Sequence, residues 1–504
     1  MPDKYEVVIG LEIHAQLATN SKMFCGCDNR SFAEASDGKQ SEQVPPNSLT
    51  CPVCMGMPGT LPVINKKALE WTYLFGLALN CEVAPQFNFE RKQYFYPDLP
   101  KAYQITSQTT PPLVGGYLDI DVNGEKKHFT LEHIHLEEDA GKLIHSGDHS
   151  LVDLNRAGTP LMEIVSNPDF RSPLEAKLFM QELQRILRYL GISTADMEKG
   201  HLRCDGNISL RPIGQKELGK KVEVKNINSF SSLERALEYE IKRQTEMLDK
   251  NEVIMQETRG WDDAKGITVG QRSKEEAHDY RYFPEPDLPP IEVKSLKFKV
   301  QSEEMDIEGL RKLIPELPAQ KREKYQKEFG LGKTEADILV SDIDLAKYFE
   351  ESVGIRHALS EPAKKVSNWL LGDVLGYLNA KNETILNLKI KPQELISLIE
   401  KIDSGEISSK IAKEVFVKMA DSGKTASEII ESEGIKQVSD TGELEKIISE
   451  IISANPAQSE QYKAEVAAGG EISILNWFVG QAMKATRGQA NPAVVMEVLK
   501  KLLG

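Results

Sequence analysis

The sequence predicts an α+β protein, in which a sheet-based N-terminal domain is followed by all-α domains. Two segments, 7–17 and 201–211, alternate apolar and polar side chains with period two, which is typical of half-buried strands. Between them, a capping box at Ser172 and Glu175 precedes an apolar stripe and predicts a helix over 173–190. Beyond residue 295 strand signals nearly vanish, and periodic Lys-, Glu- and Leu-rich segments predict helices.

The length and composition are those of an ordinary globular protein. At roughly 150 residues per domain, 504 residues are enough for two to four domains. Hydrophobic residues at 40% and charged residues at 28% fit neither a disordered chain nor a membrane protein. The formal net charge of -15 repels polyanions, so contact with nucleic acid requires a local basic patch. Without a signal segment or a long apolar run, the sequence predicts a cytoplasmic protein with no membrane contact.

The domain boundaries are predicted from segments that interrupt regular structure. The proline-rich segment 284–290 marks the end of the first domain. We predict a first domain over 1–293, a helical domain over 294–402 and a helical tail over 403–504. Further elements of the first domain are expected at 116–122, 127–136 and 221–228 (strands) and at 231–249 (a helix).

Four of the six cysteines form a pattern that is typical of zinc ligands. They occur as Cys25-Gly-Cys27 and Cys51-Pro-Val-Cys54, so a loop over 25–54 that folds back would bring four thiolates together. A site with four cysteines has no open coordination position and would be structural. The alternative is four free thiols.

Acidic residues from three segments suggest a second kind of metal site. Glu12 and His14 share one face of the first strand, Glu137-Glu138-Asp139 ends a β-like run, and Glu163 lies in an apolar run. Oxygen ligands of this kind suit Mg²⁺, which retains waters for phosphate oxygens. The alternative is a set of separate salt bridges and a solvated acidic turn.

The sequence contains no glycine-rich loop that would cradle a nucleotide phosphate. A nucleotide site would have to use sheet side chains such as Asp205, Asn207, Ser209 and Lys225. Two aromatic, proline-rich segments, 94–103 and 279–288, either stack unpaired bases or form rigid turns that pack their own rings.

Several segments closely resemble one protein family over the whole chain. They are Val-Ile-Gly-Leu-Glu-Ile-His14, Tyr-Phe-Tyr-Pro-Asp-Leu-Pro-Lys-Ala-Tyr-Gln104, Leu-Glu-Glu-Asp-Ala-Gly-Lys142, Val-Asp-Leu-Asn-Arg-Ala-Gly-Thr-Pro-Leu-Met-Glu163, Leu-Arg-Cys-Asp-Gly-Asn-Ile-Ser-Leu-Arg211, Glu-Val-Lys-Asn-Ile-Asn-Ser-Phe230 and Asp-Tyr-Arg-Tyr-Phe-Pro-Glu-Pro-Asp287. The family is the B subunit of bacterial aspartyl/glutamyl-tRNA(Asn/Gln) amidotransferase.

The resemblance implies an activity and a set of partners. In this family, ATP activates the side-chain carboxylate of misacylated Glu-tRNA(Gln) or Asp-tRNA(Asn), and ammonia then displaces the phosphate to give the amide. An A subunit supplies ammonia from glutamine through a tunnel, and a C subunit clasps the two in a heterotrimer. The resemblance further implies that 1–293 is a catalytic cradle and that the tail binds the tRNA. The alternative is a non-catalytic tRNA-binding scaffold subunit of the same complex.

The resemblance also assigns roles to individual residues. The residues that match the Mg²⁺ centre, and would be catalytic, are Glu12, His14, Glu138 and Glu163. The residues that match motif positions lining the cradle, near ATP or the aminoacyl end, are Asn155, Arg156, Asp205, Asn207, Ser209, Lys225 and Asn226. The residues that match a structural zinc site are Cys25, Cys27, Cys51 and Cys54. The implied cofactors are ATP, Mg²⁺ and Zn²⁺.

The end of the tail offers a small basic patch in an acidic chain. Between 471 and 504, four basic residues stand against two acidic ones, a local net charge of +2. The bases are Lys484, Arg487, Lys500 and Lys501, and the acids are Glu471 and Glu497. We expect this patch to contribute to the binding of tRNA.

Overall fold

The computed structural model describes residues 4–29, 44–273, 280–355, 360–434, 441–467, 473–486, 490 and 492–504. The chain forms two compact units, Met1–Pro318 and Ala319–Gly504. The first unit is built on a large mixed sheet, and the described part of the second unit is helical. The predicted α+β class is confirmed.

The first unit contains most of the regular elements that bear on function. Its strands are β1 (Tyr5–Gln16), β2 (Glu82–Val83), β3 (Gln86–Phe87), β4 (Glu90–Gln93), β5 (Tyr103–Thr106), β6 (Leu113–Val114), β7 (Tyr117–Val122), β8 (Glu125–Glu138), β9 (Lys142–Ser146), β10 (His149–Asp153), β11 (Pro160–Ser166), β12 (Leu202–Pro212), β13 (Val222–Lys225), β14 (Glu257–Asp262), β15 (Ile267–Ser273), β16 (Phe283–Pro284), β17 (Ile291–Glu292), β18 (Lys297–Val300) and β19 (Glu303–Asp306). Its helices are α1 (Lys66–Ala78), α2 (Pro173–Tyr189), α3 (Phe230–Asp249) and α4 (Ile307–Arg311).

The helices of the second unit follow in sequence from Pro318. They are α5 (Pro318–Lys327), α6 (Lys333–Leu339), α7 (Ile343–Ile355), α8 (Ser360–Trp369), α9 (Leu375–Lys381), α10 (Pro392–Asp403), α11 (Ser409–Ser422), α12 (Ala426–Glu433), α13 (Thr441–Ala454), α14 (Pro456–Ala467), α15 (Ser473–Ala485) and α16 (Pro492–Leu503). A π-helical turn, Leu370–Val374, joins α8 to α9, and a 3₁₀ turn, Ile385–Asn387, follows α9.

The main sheet is arranged around β1. The strand order is β15-β14-β13-β12-β1-β11-β8-β5-β4-β16, and β2, β6 and β7 extend it beside β8. Of these neighbours, β13 and β14 are parallel and the others are antiparallel. Strand β1 therefore has a partner on each side, which places its side chains in the middle of the sheet.

The two faces of β1 have opposite chemical character. Ile9, Leu11 and Ile13 are buried in the apolar core on one face. Helix α3 packs on β12 and against α2 on that side. Because successive strand side chains point to opposite faces, Glu12 and His14 lie on the other face. The fold thus presents a row of polar side chains from its most central strand.

Helix α2 begins and ends where the sequence predicts. The Ser172 hydroxyl accepts a hydrogen bond from the Glu175 backbone N–H at 3.3 Å, and proline occupies the first helical position. In its apolar stripe, Leu183 and Leu187 are fully buried, and Leu178 and Leu190 are partly buried. The predicted helices at 173–190 and 231–249 are confirmed as α2 and α3.

One hairpin was missed by the sequence analysis. Strands β18 and β19 pair directly after the proline-rich segment, with Phe298, Val300 and Met305 buried in the core of the first unit. The compact unit therefore extends past the predicted boundary at 293/294, up to Pro318.

The described part of the second unit contains two apolar clusters. One runs from Tyr325 to Ile430 and the other from Leu444 to Leu503. The predicted boundary at 402/403 falls inside the first of these clusters, where α10, α11 and α12 pack together. The three-domain division with its boundaries stays a prediction. No helix in the described parts of the chain combines the length and apolar character required to cross a membrane.

Candidate active site and cysteine centre

Strand pairing brings five titratable side chains onto the polar face of the sheet. Glu163 of β11 is in register with His14 of β1 on one side and with His135 of β8 on the other. Glu12 and Glu137 lie two residues from these histidines along β1 and β8. With a side-chain period of two, all five residues share one face.

Glu163 is the centre of this group, which we call the carboxylate cluster: Glu12, His14, His135, Glu137 and Glu163. His14 Nε2 lies 3.3 Å from Glu163 Oε2 and 3.7 Å from Glu137 Oε1. Ligand-type atoms of Glu12, His14 and Glu163 all lie within 4.8 Å of one another, and so do those of His135, Glu137 and Glu163. These separations allow a shared cation.

The carboxylate cluster concentrates negative charge at a site that is largely shielded from water. Burial and the charge of Glu163 raise the pKa of both Glu12 and Glu137. Burial also acts to raise the pKa of Glu163, but His135 and His14 hold it well below its usual value. Although burial lowers the pKa of His14, the hydrogen bond and the charge of Glu163 raise it to about 9. A divalent cation would relieve the repulsion between the carboxylates.

Several buried polar atoms on this face make no hydrogen bond. They include Glu137 Oε2, Asn207 Oδ1 and both ring nitrogens of His135. A buried polar atom without a partner costs about 1–3 kcal/mol, so a native structure rarely leaves a group of them unsatisfied. Their presence among carboxylates and imidazoles means that the residues fit a cation with oxygen and nitrogen ligands.

Glu138 is turned away from the carboxylate cluster. Its Oε1 accepts hydrogen bonds from Lys101 Nζ and, at 3.1 Å, from the Ile105 backbone N–H. Because Glu137 and Glu138 are consecutive in β8, they point to opposite faces, and Glu137 is the one on the polar face. The structure thus brings together Glu12, His14 and Glu163 of the predicted Mg²⁺ set, with Glu137 in place of Glu138.

A pair of arginines is fixed beside the cluster by one buried carboxylate. Arg203 of β12, in register with His14, donates from Nη2 to Asp139 Oδ2 at 2.8 Å. Gln16 Nε2 donates to the same oxygen at 2.5 Å, and Arg156 Nε lies 3.7 Å from it. Burial acts to raise the pKa of Asp139, but Arg203 and Arg156 lower it. Asp139 therefore stays charged and orients Arg203 toward the polar face.

A lysine with two carboxylates continues the polar face on β13. Lys225 Nζ lies 2.5 Å from Asp205 Oδ2 and 3.4 Å from Glu223 Oε1. Burial lowers the pKa of Lys225, but the charges of Asp205 and Glu223 raise it above its usual value. Asp205 is in register with Glu12, so this group adjoins the carboxylate cluster.

The other residues predicted at ATP or the aminoacyl end divide into two groups. Asn207 and Ser209 lie on the polar face of β12, and Asn226, at a positive φ of 64°, is exposed just after β13. Asn155 instead holds the loop before Cys51, since it accepts from the Leu49 N–H and donates to the Pro45 carbonyl, both at 2.8 Å.

Arg156 is also engaged with backbone. Its guanidinium donates to the carbonyl of Ala140 at 2.9 Å and of Gly141 at 2.5 Å. It thus fixes the turn that follows Asp139. A direct contact of Arg156 or Asn155 with ATP stays a prediction.

The two aromatic segments lie side by side at the edge of the sheet. The rings of Tyr94 and Tyr280 meet edge to face at 6.1 Å, and Tyr280 meets Tyr282 in the same way. Phe95, by contrast, is 91% exposed. Asp279, the first residue of the second segment, lies outside the described residues. Packed rings and an exposed ring occur together, so both predicted roles stay open.

The four predicted zinc ligands converge in space. Their sulfur atoms all lie within 4.8 Å of one another, with Cys27 Sγ and Cys51 Sγ at 4.0 and 3.9 Å from Cys54 Sγ. Zinc–sulfur bonds of about 2.3 Å in a tetrahedron require sulfur atoms about 3.8 Å apart. A hydrogen bond from Cys25 lowers the pKa of Cys54 to about 4, whereas burial raises that of Cys27 to about 12.

The convergence of the sulfurs favours a metal centre over four unrelated thiols. The remaining cysteines, Cys81 and Cys204, are buried apart from this group, as expected for core thiols. Residues 30–43, between the two cysteine pairs, lie outside the described part of the chain.

Comparison with known proteins gives the family. Residues 7–299 match the family described as the GatB/GatE catalytic domain, and residues 347–503 match the GatB domain. The B subunit of the aspartyl/glutamyl-tRNA(Asn/Gln) amidotransferase of Persephonella marina is 50% identical over 99% of this chain and 100% of its own length. The B subunits of the same name from Thermodesulfovibrio yellowstonii and Brevibacillus brevis are 49% and 46% identical, over 99% of each chain. The chain belongs to this family of amidotransferase B subunits.

The family assignment confirms the resemblance that the sequence motifs indicated. It does not by itself assign a role to any residue, and for that the geometry of the polar face is needed. Two side chains that the sequence analysis did not select, His135 and Arg203, lie within the polar face of this family member. The signal for both was present, because His133-Ile-His135 and His201-Leu-Arg203 continue the period-two patterns.

Proposed function

We propose that this chain activates the side-chain carboxylate of misacylated Glu-tRNA(Gln) or Asp-tRNA(Asn) with ATP and exchanges the resulting phosphate for ammonia. The products are Gln-tRNA(Gln) or Asn-tRNA(Asn). The observation that carries the proposal is the carboxylate cluster, which lies beside Arg203 and Lys225 on a largely buried sheet face. A tRNA-binding scaffold would have no need for several adjoining buried carboxylates, one of which, Glu137, has an oxygen atom without a hydrogen-bond partner.

The residues of the cluster fit a bound Mg²⁺ ion. Glu12, His14 and Glu163, with Glu137, would hold it directly or through water, since imidazole is a poorer ligand than oxygen for Mg²⁺. When bound, Mg²⁺ supplies positive charge next to the phosphate oxygens of ATP. Glu138 is not included, because it pairs with Lys101.

The side chains of the chain itself perform three tasks in this reaction. Arg203, oriented by Asp139, presents positive charge to the transferred phosphoryl group. Lys225, between Asp205 and Glu223, adds a second cation on the same face. The buried sheet face limits access of water to the activated carboxylate, which would otherwise hydrolyse. No side-chain nucleophile is needed, because the attacking group is the carboxylate of the substrate.

The cysteine centre is proposed as a structural Zn²⁺ site. Coordination of one ion by Cys25, Cys27, Cys51 and Cys54 would fix the loop before Cys51, which Asn155 also holds. Four cysteine ligands would leave no coordination position open for substrate. Zinc thus supports the wall of the cradle and takes no part in the chemistry.

The chain acts as one subunit of a multi-subunit tRNA-dependent amidotransferase. We infer that its partners are an A subunit, which releases ammonia from glutamine, and a C subunit that stabilises the pair. The carboxylate cluster consists of glutamates and histidines and includes no serine or cysteine nucleophile for hydrolysing glutamine by acyl transfer. The ammonia must therefore come from another site.

The experiment that tests the function bypasses the glutaminase partner. The purified complex is incubated with misacylated tRNA, ATP and ammonium salt, and the amino acid on the tRNA is identified. We expect conversion of glutamate or aspartate to its amide only when ATP and this chain are both present. Equal conversion by the partner subunits without this chain would exclude the catalytic role and leave the scaffold function. The amino acid recovered also identifies which tRNA the chain serves.

The tail is proposed to bind the body of the tRNA. Lys484 and Lys500 lie in α15 and α16, and Lys501 pairs with Glu445 at 2.7 Å. Arg487 and Glu471 lie outside the described residues. The patch is small, and its effect on affinity is expected to depend on salt.

Removal of residues 441–504, which contain an apolar cluster of their own, is expected to weaken tRNA binding. Amide formation at saturating tRNA should change much less. Filter binding or anisotropy at two salt concentrations measures the first effect, and the ammonia-dependent assay measures the second. Unchanged tRNA affinity in the truncated protein would contradict the assignment.

A further inference from the structure

We propose that the cysteine centre positions Lys101: the residues that flank its ligands hold the Lys101 side chain on Glu138. Phe24 directly precedes the first cysteine ligand, and Gly56 follows the last one by two residues. Both contact Lys101, although the centre lies in a different part of the sequence. This inference rests on the proposed function, because Glu138 lies between two residues that serve the activation site.

Gly56 makes the closer of the two contacts. A methyl group on its Cα would lie 2.6 Å from Lys101 Cγ and 3.0 Å from Lys101 Cα, so only glycine allows the two backbones to approach this closely. Its φ of 65° is also in the left-handed region that favours glycine. The Gly56 N–H donates to the Val53 carbonyl at 3.0 Å, which ties this contact to the segment between Cys51 and Cys54.

The charged end of Lys101 is confined by aromatic rings. Its Nζ lies 5.9 Å from the centroid of Phe24 and 5.7 Å from that of Tyr103, within the range of cation–π attraction. We call Phe24, Gly56 and Tyr103 the Lys101 socket. The side chains of Lys101 and Glu138 are only 9% and 4% exposed, and a buried charge is costly unless it stays paired. The socket therefore keeps the ammonium group on its carboxylate.

Glu138, in turn, fixes the end of β8. Its Oε1 also accepts a hydrogen bond from the Ile105 N–H at 3.1 Å, and its carbonyl accepts one from Gln104 Nε2 at 2.8 Å. Strand β5 is thereby fastened to β8 at the point where Glu137 joins the carboxylate cluster and Asp139 holds the arginine pair. Without its lysine, Glu138 would be an unpaired buried charge, and relief of that charge would move this strand end.

The socket makes Lys101 depend on the metal content of the cysteine centre. A structural zinc ion holds the segments that carry its ligands in place, and their positions are no longer fixed when it is removed. Phe24 and Gly56 belong to the two segments that the four cysteines join. Loss of zinc is therefore expected to release Lys101, as a methyl group at Gly56 should do with the zinc still bound.

The test measures the exposure of Lys101 by acetylation of the purified complex with an N-hydroxysuccinimide ester, followed for each lysine by peptide mass spectrometry. Lys126, whose side chain is 78% exposed, serves as the internal reference. We expect Lys101 to be protected in wild type. Gly56→Ala and zinc-depleted wild type should each raise its rate of acetylation by at least about tenfold, because modification follows the population of the open state. Metal analysis should show that Gly56→Ala retains its zinc.

The matched control is Gly59→Ala. Gly59 lies in the same loop at a φ of 85°, so alanine imposes similar backbone strain, but an added methyl group would meet no other part of the described chain within 4 Å. Lys101 should stay protected in this variant. Equal acetylation of Lys101 in Gly56→Ala and Gly59→Ala would overturn the role of the Gly56 contact, since strain alone would then explain the release.

Amide formation with ammonium ion distinguishes positioning from a general loss of stability. Gly56→Ala and Lys101→Met should each lower the rate, and the double variant should be no slower than Lys101→Met, because both changes remove the same interaction. A double variant in which the two losses multiply would show that Gly56 acts independently of Lys101, which overturns the inference.

Acetylation depends neither on the reaction nor on a Lys101 variant, so the inference and the proposed function can fail separately. Lys101 that is released in Gly56→Ala and in zinc-depleted protein, together with slower amide formation, supports the inference. Lys101 that stays protected in both overturns it and leaves the proposed function intact. Released Lys101 with wild-type amide formation overturns the positioning role. A wild-type complex without ammonia-dependent amide formation overturns the proposed function, and with it the link from Lys101 to the reaction.

Discussion

The substitution Glu163→Gln should reduce ATP-dependent amide formation by at least about 100-fold, the scale for removing one group that stabilises charge in a transition state. Glu163 Oε2 lies 3.3 Å from His14 Nε2 and 3.4 Å from His135 Nε2, so its charge acts on both imidazoles of the cluster. The glutamine side chain keeps the shape but not the charge. Divalent-metal affinity should fall together with activity, while tRNA affinity should remain.

The control for this substitution is Glu132→Gln, which lies on the same strand as Glu137 but is exposed and outside the cluster. It makes the same chemical change outside the cluster and should leave metal binding and amide formation near wild type. Metal binding can be followed by calorimetry, and amide formation by recovery of the amino acid from tRNA. Wild-type amide formation by Glu163→Gln at limiting Mg²⁺ would contradict the proposed mechanism and favour a scaffold.

The central strands and the α2 helix could be predicted because their signals are local. The alternation in β1 and β12 gives both the strand and the face that carries Glu12, His14, Arg203 and Asp205. The capping residues of α2 act within one turn of the chain. In contrast, the pairing of Glu163 with His14 joins residues about 150 positions apart, and no local pattern determines that register.

The motif that predicted Glu138 as a Mg²⁺ ligand does not by itself determine which of two adjacent glutamates faces the cluster. The motif Leu-Glu-Glu-Asp offers two adjacent carboxylates, and only strand parity distinguishes them. His133, His135 and Glu137 continue one polar row, whereas Glu138 continues the apolar row of Ile134 and Leu136. Lys101, from a distant loop, then neutralises Glu138 inside the protein. The alternation that places Glu137 and Glu138 on opposite faces is visible in the sequence, but the pairing of Glu138 with Lys101 is not.

Asn155 differs from the residues on the strands because its partners are distant in sequence. Its side chain binds the backbone of Pro45 and Leu49, more than 100 positions away. A polar residue in a loop motif has the same appearance in the sequence whether it contacts a ligand or another loop. Its structural engagement therefore became visible only once the loop before Cys51 was placed.

Replacement of one cysteine of the metal centre, Cys54→Ser, should abolish zinc binding and loosen the loop that contains the centre. Cys54 is the buried member of the four, and its sulfur contacts those of Cys27 and Cys51. A serine hydroxyl is a poor zinc ligand at neutral pH, so the remaining thiolates would hold the ion weakly. Metal analysis should show about one zinc per chain in wild type and almost none in the variant.

A second effect of Cys54→Ser follows from the charge of the centre. Four thiolates around Zn²⁺ have a net charge of about -2. The ammonium group of Lys22, which is fully buried, lies 3.8 Å from Cys54 Sγ and 3.4 Å from the Leu154 carbonyl. Loss of the metal–thiolate charge would leave this buried cation poorly compensated, which is costly in a low-dielectric interior. We therefore expect a lower melting temperature and faster proteolysis near residues 44–60.

The control is Cys81→Ser, which changes a buried cysteine outside the metal centre. Cys81 Sγ lies 3.1 Å from the Gly115 carbonyl, and a serine hydroxyl there can still donate to it. Zinc content should stay at the wild-type level, whatever small change in stability follows. If Cys54→Ser retains as much zinc as Cys81→Ser, the four cysteines are not the zinc ligands. If Cys54→Ser loses its zinc but is proteolysed at the wild-type rate, the centre binds zinc without stabilising the loop. Other groups would then balance the charge of Lys22.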